Sequence, residues 1–308
     1  MSFSGEVKEE LARHCGQARH CQIAELAAVL NCCARIVETQ RGVRCLEIRA
    51  ENSAVLRKCF TLLKKTFNID TDIFEKLFAV QEKTGIDQFT LTGRDAVTVS
   101  EACRLTAQGT QVSPLLLKNG CCRRAYLRGT YLSIGSMSNP KRSYHLEFVC
   151  GSMPQAEQLC GVLTGFELEA KVIRRKKYHV VYLKESACIV DLLNIMEAHV
   201  SLMELENLRI LKDISNRVNR RVNCEAANIV KTVNAANRQV EDIKLIQEKR
   251  GLSSLPENLR KAAELRMERP DATLGELSQL MAPPIGKSGM NHRLRKLSEI
   301  AEELKGNA

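Results

Sequence analysis

The side chains best suited to metal chemistry in this 308-residue chain are thirteen cysteines and six histidines. No two cysteines form a C-x-x-C pair, and the nearest approach to a metal-binding cluster is His14-Cys15 followed by His20-Cys21. That spacing differs from the spacing of known zinc modules. The odd number of cysteines and their apolar surroundings favour reduced thiols over a disulfide framework. We therefore expect no bound metal and no other cofactor, and we interpret the cluster as ordinary side chains near a helix end.

A different chemistry, the recognition of nucleic acid, is indicated by the segment "DATLGELSQLMAPPIGKSGMNHRLRKLSEIAEEL" at residues 271–304. Thr273 and Glu276 predict a capping box at the start of a short helix. A Pro-Pro-x-Gly segment ends that helix, and a second helix is predicted to begin near Lys287. Two short helices joined by a tight turn predict a helix-turn-helix unit at about residues 273–306. Its predicted apolar faces comprise Leu274, Leu277 and Met281 in the first helix and Met290, Leu294, Leu297, Ala301 and Leu304 in the second.

The second helix of this unit carries its charges in an order that opposes the helix dipole. No acid occurs between Lys287 and Lys296, whereas three glutamates follow. This order destabilises an isolated helix, so it suggests a function that requires it. Insertion of the first half into a major groove is such a function, because Arg, Asn and Lys can read purine edges. The predicted DNA contacts are Lys287, Ser288, Asn291, His292, Arg293, Arg295 and Lys296.

Three further basic residues, Arg217, Arg220 and Arg221, lie in the preceding helical segment "DISNRVNRRVNCEAAN". On a helix they share a face that could lie along a phosphate backbone. The alternative for these arginines is an ordinary solvated helix face, and the alternative for the helix-turn-helix unit is a hairpin used for packing alone. The basic charge, the capping box and the turn together favour DNA binding.

The net charge of the chain is +10, and its distribution is uneven. Residues 121–184 and 206–308 carry the excess of basic side chains, whereas residues 185–205 carry acidic side chains and no basic ones. Two basic regions separated by an acidic connector indicate either simple solubility or two surfaces that face a polyanion such as nucleic acid. The basic hairpin "KVIRRKKYHVVYLK" fits a nucleic-acid face and a solvated hairpin tip equally well.

The length of the chain suits two or three domains, each able to bury its own core. No apolar run approaches the roughly 20 residues that a membrane-spanning helix requires, and the amino terminus lacks the apolar core of a secretory signal. We therefore expect a cytoplasmic protein with no membrane partner, associated with the nucleoid through its DNA.

An internal repeat of about 100 residues dominates the first two thirds of the chain. "CLEIRAENSAVLRKCFTLLKKTFNID" is echoed 100 residues later by "HLEFVCGSMPQAEQLCGVLTGFELE". Each copy has the predicted order αββαββα, opening on a helix at residues 23–33 or 125–132 and closing on one at 95–105 or 185–196. The later strands of the first copy are predicted at "DTDIF" and "DQFTLTG", and those of the second at "AKVIRR" and "YHVVYL".

This duplication resembles the fold of LAGLIDADG homing endonucleases, in which two opening helices pack against each other and two sheets form a saddle over DNA. The motif aligns with "LAAVLNCCA" at 26–34 and with "LRGTYLSIG" at 127–135, an offset of 101 residues. The resemblance implies that Ala27, Ala28 and Gly129 occupy the positions of close helix packing. Gly135 falls on the final glycine of the motif.

The resemblance also implies which residues would cut DNA. In those nucleases the eighth motif position is a carboxylate in each half, and the pair holds hard divalent cations. Here these positions are Cys33 and Ile134. A thiol is a poor magnesium ligand and isoleucine is none. Glu25 lies two turns away, near the opposite helix end, so we expect no catalytic residues and no enzyme activity, with a nuclease using relocated acids as the rival.

The whole chain resembles the WhiA family, through "RAYLRG", "NRVNRRVNCEAANIVKT" and "PPIGKSGMNHRLRKL" in addition to the duplication. The resemblance implies a DNA-binding regulator that acts in cell division, chromosome segregation and, in spore formers, sporulation. The charge order of the second helix leads us to expect sequence-specific binding of double-stranded DNA. The alternative is a docking platform for a division or transcription protein, with DNA contact secondary.

The predicted fold class is α+β, with a duplicated αββαββα domain followed by an all-α helix-turn-helix domain. The predicted divisions are an N-terminal helical segment at 1–21, repeats at 22–120 and 121–200, a helical linker at 201–222 and a DNA-binding domain at 223–308.

Overall fold

A computed structural model describes residues 2–38, 44–50, 52–69, 87–106 and 110–306. The chain divides into two compact units, a first unit of residues 1–211 and a second unit of residues 212–308. The first unit mixes helices with antiparallel sheets and the second is helical, so the α+β class predicted from the sequence is confirmed.

The first repeat follows a short amino-terminal helix in the sequence. Its three strands form an antiparallel sheet in the order β1-β2-β3. The strand predicted at residues 70–74 lies outside the described residues. The elements are α1 (Phe3–Arg13), α2 (Arg19–Cys33), β1 (Ala34–Glu38), β2 (Arg44–Ala50), α3 (Ser53–Phe67), β3 (Asp87–Thr92) and α4 (Gly93–Ala102).

The second repeat contains the complete αββαββα order that the sequence predicts. Its four-stranded antiparallel sheet has the order β4-β5-β7-β6, and Phe148 lies opposite Val181 at its centre. A 3-10 turn, Pro114–Leu117, precedes it. The elements are α5 (Gly120–Ile134), β4 (Gly135–Met137), β5 (Leu146–Cys150), α6 (Met153–Thr164), β6 (Lys171–Arg175), β7 (Tyr178–Leu183) and α7 (Ser186–Met196).

The core of the first unit is built around α2 and α5, which pack along each other. Buried side chains lie on every side of these two helices, from Ala24 to Leu30 in α2 and from Ala125 to Leu132 in α5. A helix buried on all sides belongs to the interior of a domain. Both helices begin about one turn earlier than the apolar pattern predicts, at Arg19 and Gly120.

The second unit is formed by helices. The long helix α8 runs from the first unit into the second without a break, whereas the sequence pattern predicts one helix ending near residue 222 and another beginning at Glu225. No glycine or proline occurs between residues 199 and 250, so nothing in the chain stops the helix. The elements are α8 (His199–Lys249), a 3-10 turn (Leu252–Ser254), α9 (Glu257–Glu268), α10 (Leu274–Leu280) and α11 (Lys287–Gly306).

The predicted helical linker, residues 201–222, lies within α8, and the predicted domain boundaries stay a prediction. Within the described residues, no helix combines the length and the apolar character that crossing a bilayer requires.

Candidate nucleic-acid interface

The helix-turn-helix unit begins at the capping box that the sequence predicts. The Thr273 hydroxyl accepts a hydrogen bond from the Glu276 backbone N–H at 3.3 Å, and the Glu276 carboxylate accepts one from the Thr273 N–H at 2.7 Å. The turn closes where the Ile285 N–H donates to the Ser278 carbonyl at 3.0 Å. These bonds set the path of the chain from α10 into α11, because they satisfy backbone groups that helix ends leave free.

Helix α11 is held by a continuous apolar face. Met290, Leu294, Leu297 and Ala301 are buried against residues of α8 and α9. Leu277 and Met281 complete this core, and Leu274 and Leu304 pack at its margin, half-buried. The predicted apolar faces are therefore confirmed, and the opposite face of α11 points away from the core of the second unit.

Most of the predicted DNA contacts lie on that opposite face. Arg293 differs from them because it is half-buried and lines a cavity beside Met281, Pro283 and Ile285. The exposed members are Lys287, Ser288, Asn291, His292, Arg295 and Lys296.

The charge order of α11 has a partly structural origin that helical spacing does not reveal. The Glu302 carboxylate lies 2.6 Å from the Arg238 guanidinium of α8, and Lys305 lies 3.0 Å from the buried carboxylate of Asp242. The acidic second half of α11 therefore pairs with α8. These partners are more than 60 residues apart in the chain, so no pattern within one helix predicts them.

The basic first half of α11 keeps its charges close to solvent. Arg295 pairs with Glu299 one turn later, at 3.2 Å, and both side chains are more than half exposed. An exposed pair of this kind contributes less than about 1 kcal/mol, so the Arg295 guanidinium can exchange this carboxylate for another anion at little cost.

The three arginines of α8 are exposed, as a surface that meets phosphate must be. Arg221 pairs with Glu225 at 3.1 Å. In the part of the chain that the structure describes, Arg217 and Arg220 have no acidic partner within 4.0 Å.

The two motif helices approach each other as closely as the LAGLIDADG resemblance implies. A Cβ atom added at Gly129 would lie 2.5 Å from the Glu25 carbonyl oxygen and 2.9 Å from the Ala28 Cβ atom. Ala27 and Ala28 are buried. Gly129 is thus required by the close contact between α2 and α5.

The positions that hold acids in the nucleases are the last residues of these helices. Cys33 ends α2 and Ile134 ends α5, and both are half-buried. Burial raises the pKa of the Cys33 thiol, and a hydrogen bond with Ser133 opposes the shift only in part. The thiol is therefore neutral at pH 7, and neither side chain offers the charged oxygen that a hard cation prefers.

The acid Glu25, two turns before Cys33 on α2, takes part in a buried network of ion pairs. Its carboxylate lies 2.8 Å from the Lys58 ammonium and 3.4 Å from the Arg128 guanidinium. Arg128 also contacts Glu197 at 2.9 Å, and Lys58 donates to the Leu11 carbonyl at 3.1 Å. The sequence shows Glu25 only as an acid outside the eighth position of the motif. It does not reveal the ion pairs, because Lys58 and Arg128 are 33 and 103 residues away in the chain.

Three family models match successive parts of this chain. They are the WhiA N-terminal LAGLIDADG-like domain at residues 19–78, the WhiA LAGLIDADG-like domain at 123–215 and the WhiA C-terminal HTH domain at 218–301.

Curated relatives match the chain over nearly its whole length. The "Probable cell division protein WhiA" of Lachnoclostridium phytofermentans is 46% identical over 99% of this chain and 100% of that protein. The protein of the same name from Alkaliphilus oremlandii is 46% identical over 99% of this chain and 98% of that protein. The crystal structure of full-length DUF199/WhiA from Thermatoga maritima has the same fold, with a TM-score of 0.54, 24% identity and coverage of 98% and 99% of the two chains. The chain therefore belongs to the WhiA family, in which a LAGLIDADG-like region is joined to a C-terminal helix-turn-helix domain.

Proposed function

We propose that this protein is a sequence-specific binder of double-stranded DNA that regulates transcription in cell division and chromosome segregation, and in sporulation where the organism forms spores. The observation that carries the proposal is the exposed, basic and polar first half of α11, held by a buried apolar face. The names of the curated relatives support a role in cell division. In this proposal the protein is cytoplasmic and associated with the nucleoid.

The proposed mechanism inserts the first half of α11 into a major groove. Arg295 would bond a guanine edge and Asn291 an adenine edge, because both side-chain types can form two hydrogen bonds with these bases. Lys287 and Ser288, together with the free N–H groups of the first helical turn, would hold a phosphate. Arg217, Arg220 and Arg221 would add phosphate contacts from α8, which carry affinity and no sequence information.

The test is a salt titration of DNA binding by the full chain. Replacing Arg295 and Lys296 together by alanine should weaken binding at least tenfold. It should also lower the slope of log affinity against log salt by about 0.9 for each phosphate that the variant no longer neutralises. The control variant replaces Lys244 and Arg250, two exposed basic residues of the second unit, and should change affinity little. Equal affinity of the Arg295/Lys296 variant and the parent protein would contradict the proposal.

We also propose that endonuclease activity is lost. The support is the identity of Cys33 and Ile134 at the acid positions and the pairing of Glu25 with Lys58 and Arg128. Supercoiled plasmid incubated with the protein and magnesium or manganese should stay supercoiled at concentrations that saturate DNA binding. Nicked plasmid, absent from a mock purification, would show that relocated acids serve the reaction.

A second candidate function is a docking platform for a division or transcription protein, with DNA contact secondary. It is supported by apolar side chains that are 46% to 64% exposed along the middle of α8: Ile214, Val218, Val222, Ile229 and Val233. Exposed apolar patches of this kind are typical of protein contacts. This candidate expects the Arg295/Lys296 variant to keep its DNA affinity, so the same titration separates the two functions.

A further inference from the structure

The first turns of α2 and α5 bring four possible metal ligands together. They are His20, Cys21, Cys121 and Cys122, and their ligand atoms all lie within 4.8 Å of one another. The His20 Nδ1 atom is 3.1 Å from the Cys122 Sγ atom and 3.4 Å from the Cys21 Sγ atom. Bonds of about 2.3 Å from zinc to sulfur and about 2.0 Å to nitrogen place the ligand atoms of a tetrahedron about 3.5–3.8 Å apart. The four atoms therefore need only small movements to surround one ion.

We propose that this protein binds a structural zinc ion between the amino-terminal turns of α2 and α5, ligated by His20, Cys21, Cys121 and Cys122. Three thiolates and an imidazole form one of the common ligand sets of structural zinc, and soft sulfur ligands disfavour magnesium, calcium and manganese. A set of four protein ligands leaves no open position, so the ion would stabilise the fold and would not activate water.

The positions of the ligands follow the internal repeat. His20 and Cys121 are the second residues of α2 and α5, and Cys21 and Cys122 are the third. His20 is therefore 101 residues from Cys121, and Cys21 is 101 residues from Cys122, the same offset as between the two motifs. The site lies at the opposite end of the helix pair from Cys33 and Ile134, so it is separate from the former nuclease centre.

Burial raises the pKa of the Cys21 and Cys122 thiols, and two features of the surroundings oppose this cost of forming thiolates. The positive ends of two helix dipoles meet at the site, and helix amino termini stabilise thiolates. Arg124 lines the same cavity as Cys21 and Cys121. Cys21 and Cys122 are buried with Ala24 and Ala125 in a small apolar cluster, whereas His20 and Cys121 are exposed. Metal can therefore enter from solvent.

This proposal departs from the sequence-based expectation of no metal. That expectation rests on the spacing of His14-Cys15 and His20-Cys21, which does not suit zinc. In the structure, His14 lies against Glu197 at 2.8 Å, and the partners of His20-Cys21 come from the other repeat. The signal available in the sequence is the adjacent pair Cys121-Cys122 at the equivalent place in that repeat.

The first measurement is the zinc content of the full chain, purified under reducing conditions without metal-affinity chromatography. We expect one zinc ion per chain in the parent protein. The variant that combines His20→Ala with Cys121→Ser should lose this zinc, and both substitutions are at exposed positions. Cys33→Ser, at the other end of α2, and Cys224→Ser, exposed on α8, should each keep it.

Two further readouts make the result decisive. Cobalt added to the metal-free, reduced parent should develop the visible absorption of a tetrahedral thiolate complex, and the His20/Cys121 variant should not. Chelation should lower the thermal unfolding midpoint of the parent and leave that of the variant unchanged. The proposal is overturned if the reduced parent protein takes up no zinc or cobalt, or if the variant binds as much metal as the parent. It is also overturned if Cys21 and Cys122 form a disulfide and the protein binds no metal after that disulfide is reduced.

Discussion

Replacing Glu25 by alanine is expected to lower the free energy of unfolding by about 3–5 kcal/mol, because it leaves buried cations without their partner. The side chains of Lys58 and Glu25 are fully buried and that of Arg128 is 3% exposed. Removing the carboxylate leaves the Lys58 ammonium with the backbone carbonyls of Leu11 and His14 as acceptors. Uncharged carbonyls do not compensate a buried cation as a carboxylate does.

The measurement is urea-induced unfolding of the full chain, followed by circular dichroism. The matched control is Glu9→Ala, which breaks the ion pair between Glu9 and the exposed Arg57, the neighbour of Lys58 on α3, and should cost less than about 1 kcal/mol. A second control, Glu25→Gln combined with Lys58→Met, should recover part of the stability, because it removes the ammonium together with the carboxylate. A destabilisation by Glu25→Ala no larger than that by Glu9→Ala would show that the buried cations do not need the Glu25 carboxylate.

Replacing Gly129 by valine is expected to cost about 3 kcal/mol or more, because a larger side chain has no room between the two central helices. The new Cβ atom would meet the Glu25 carbonyl oxygen at 2.5 Å, and that oxygen is backbone that cannot rotate away. Separating α2 from α5 would also disturb the packing of Ala28 and the ion pairs of Glu25. The expected result is a large drop in the thermal unfolding midpoint, with less soluble protein at physiological temperature.

Gly161 offers a matched control for this substitution. It lies inside α6, and an added Cβ atom there meets nothing within 4 Å. Gly161→Ala should therefore stabilise the protein by up to about 1 kcal/mol, through helix propensity alone. If the Gly129 and Gly161 variants unfold at the same temperature, the helices tolerate separation and the close approach at Gly129 is not needed.

The order of the elements and their apolar faces could be predicted from the sequence, because both depend on short-range spacing. The periodicity of the second copy predicts its full αββαββα order, and Thr273 and Glu276 predict the capping box that the structure contains. The absence of carboxylates at the acid positions also follows from two residue identities, Cys33 and Ile134. Local patterns of this kind depend on residues that are close together in the chain.

The lengths of helices were less predictable where polar residues continue a helix. α8 is one helix from His199 to Lys249, although the apolar pattern predicts two helices. The chain has no glycine or proline between the two predicted halves, so nothing ends the first of them. α2 and α5 begin earlier than their apolar periodicity suggests, because their first turns carry cysteines and basic residues rather than a regular apolar stripe.

The sequence by itself determined the fold class, the helix-turn-helix unit with its basic second helix, and the absence of acids at the eighth positions of the two motifs. Only the tertiary structure decided which distant side chains meet: Glu25 with Lys58 and Arg128, Glu302 with Arg238, and His20-Cys21 with Cys121-Cys122. The physical reason is distance along the chain. Partners 33 to 103 residues apart are brought together by packing between elements, and no periodicity within one element encodes that pairing.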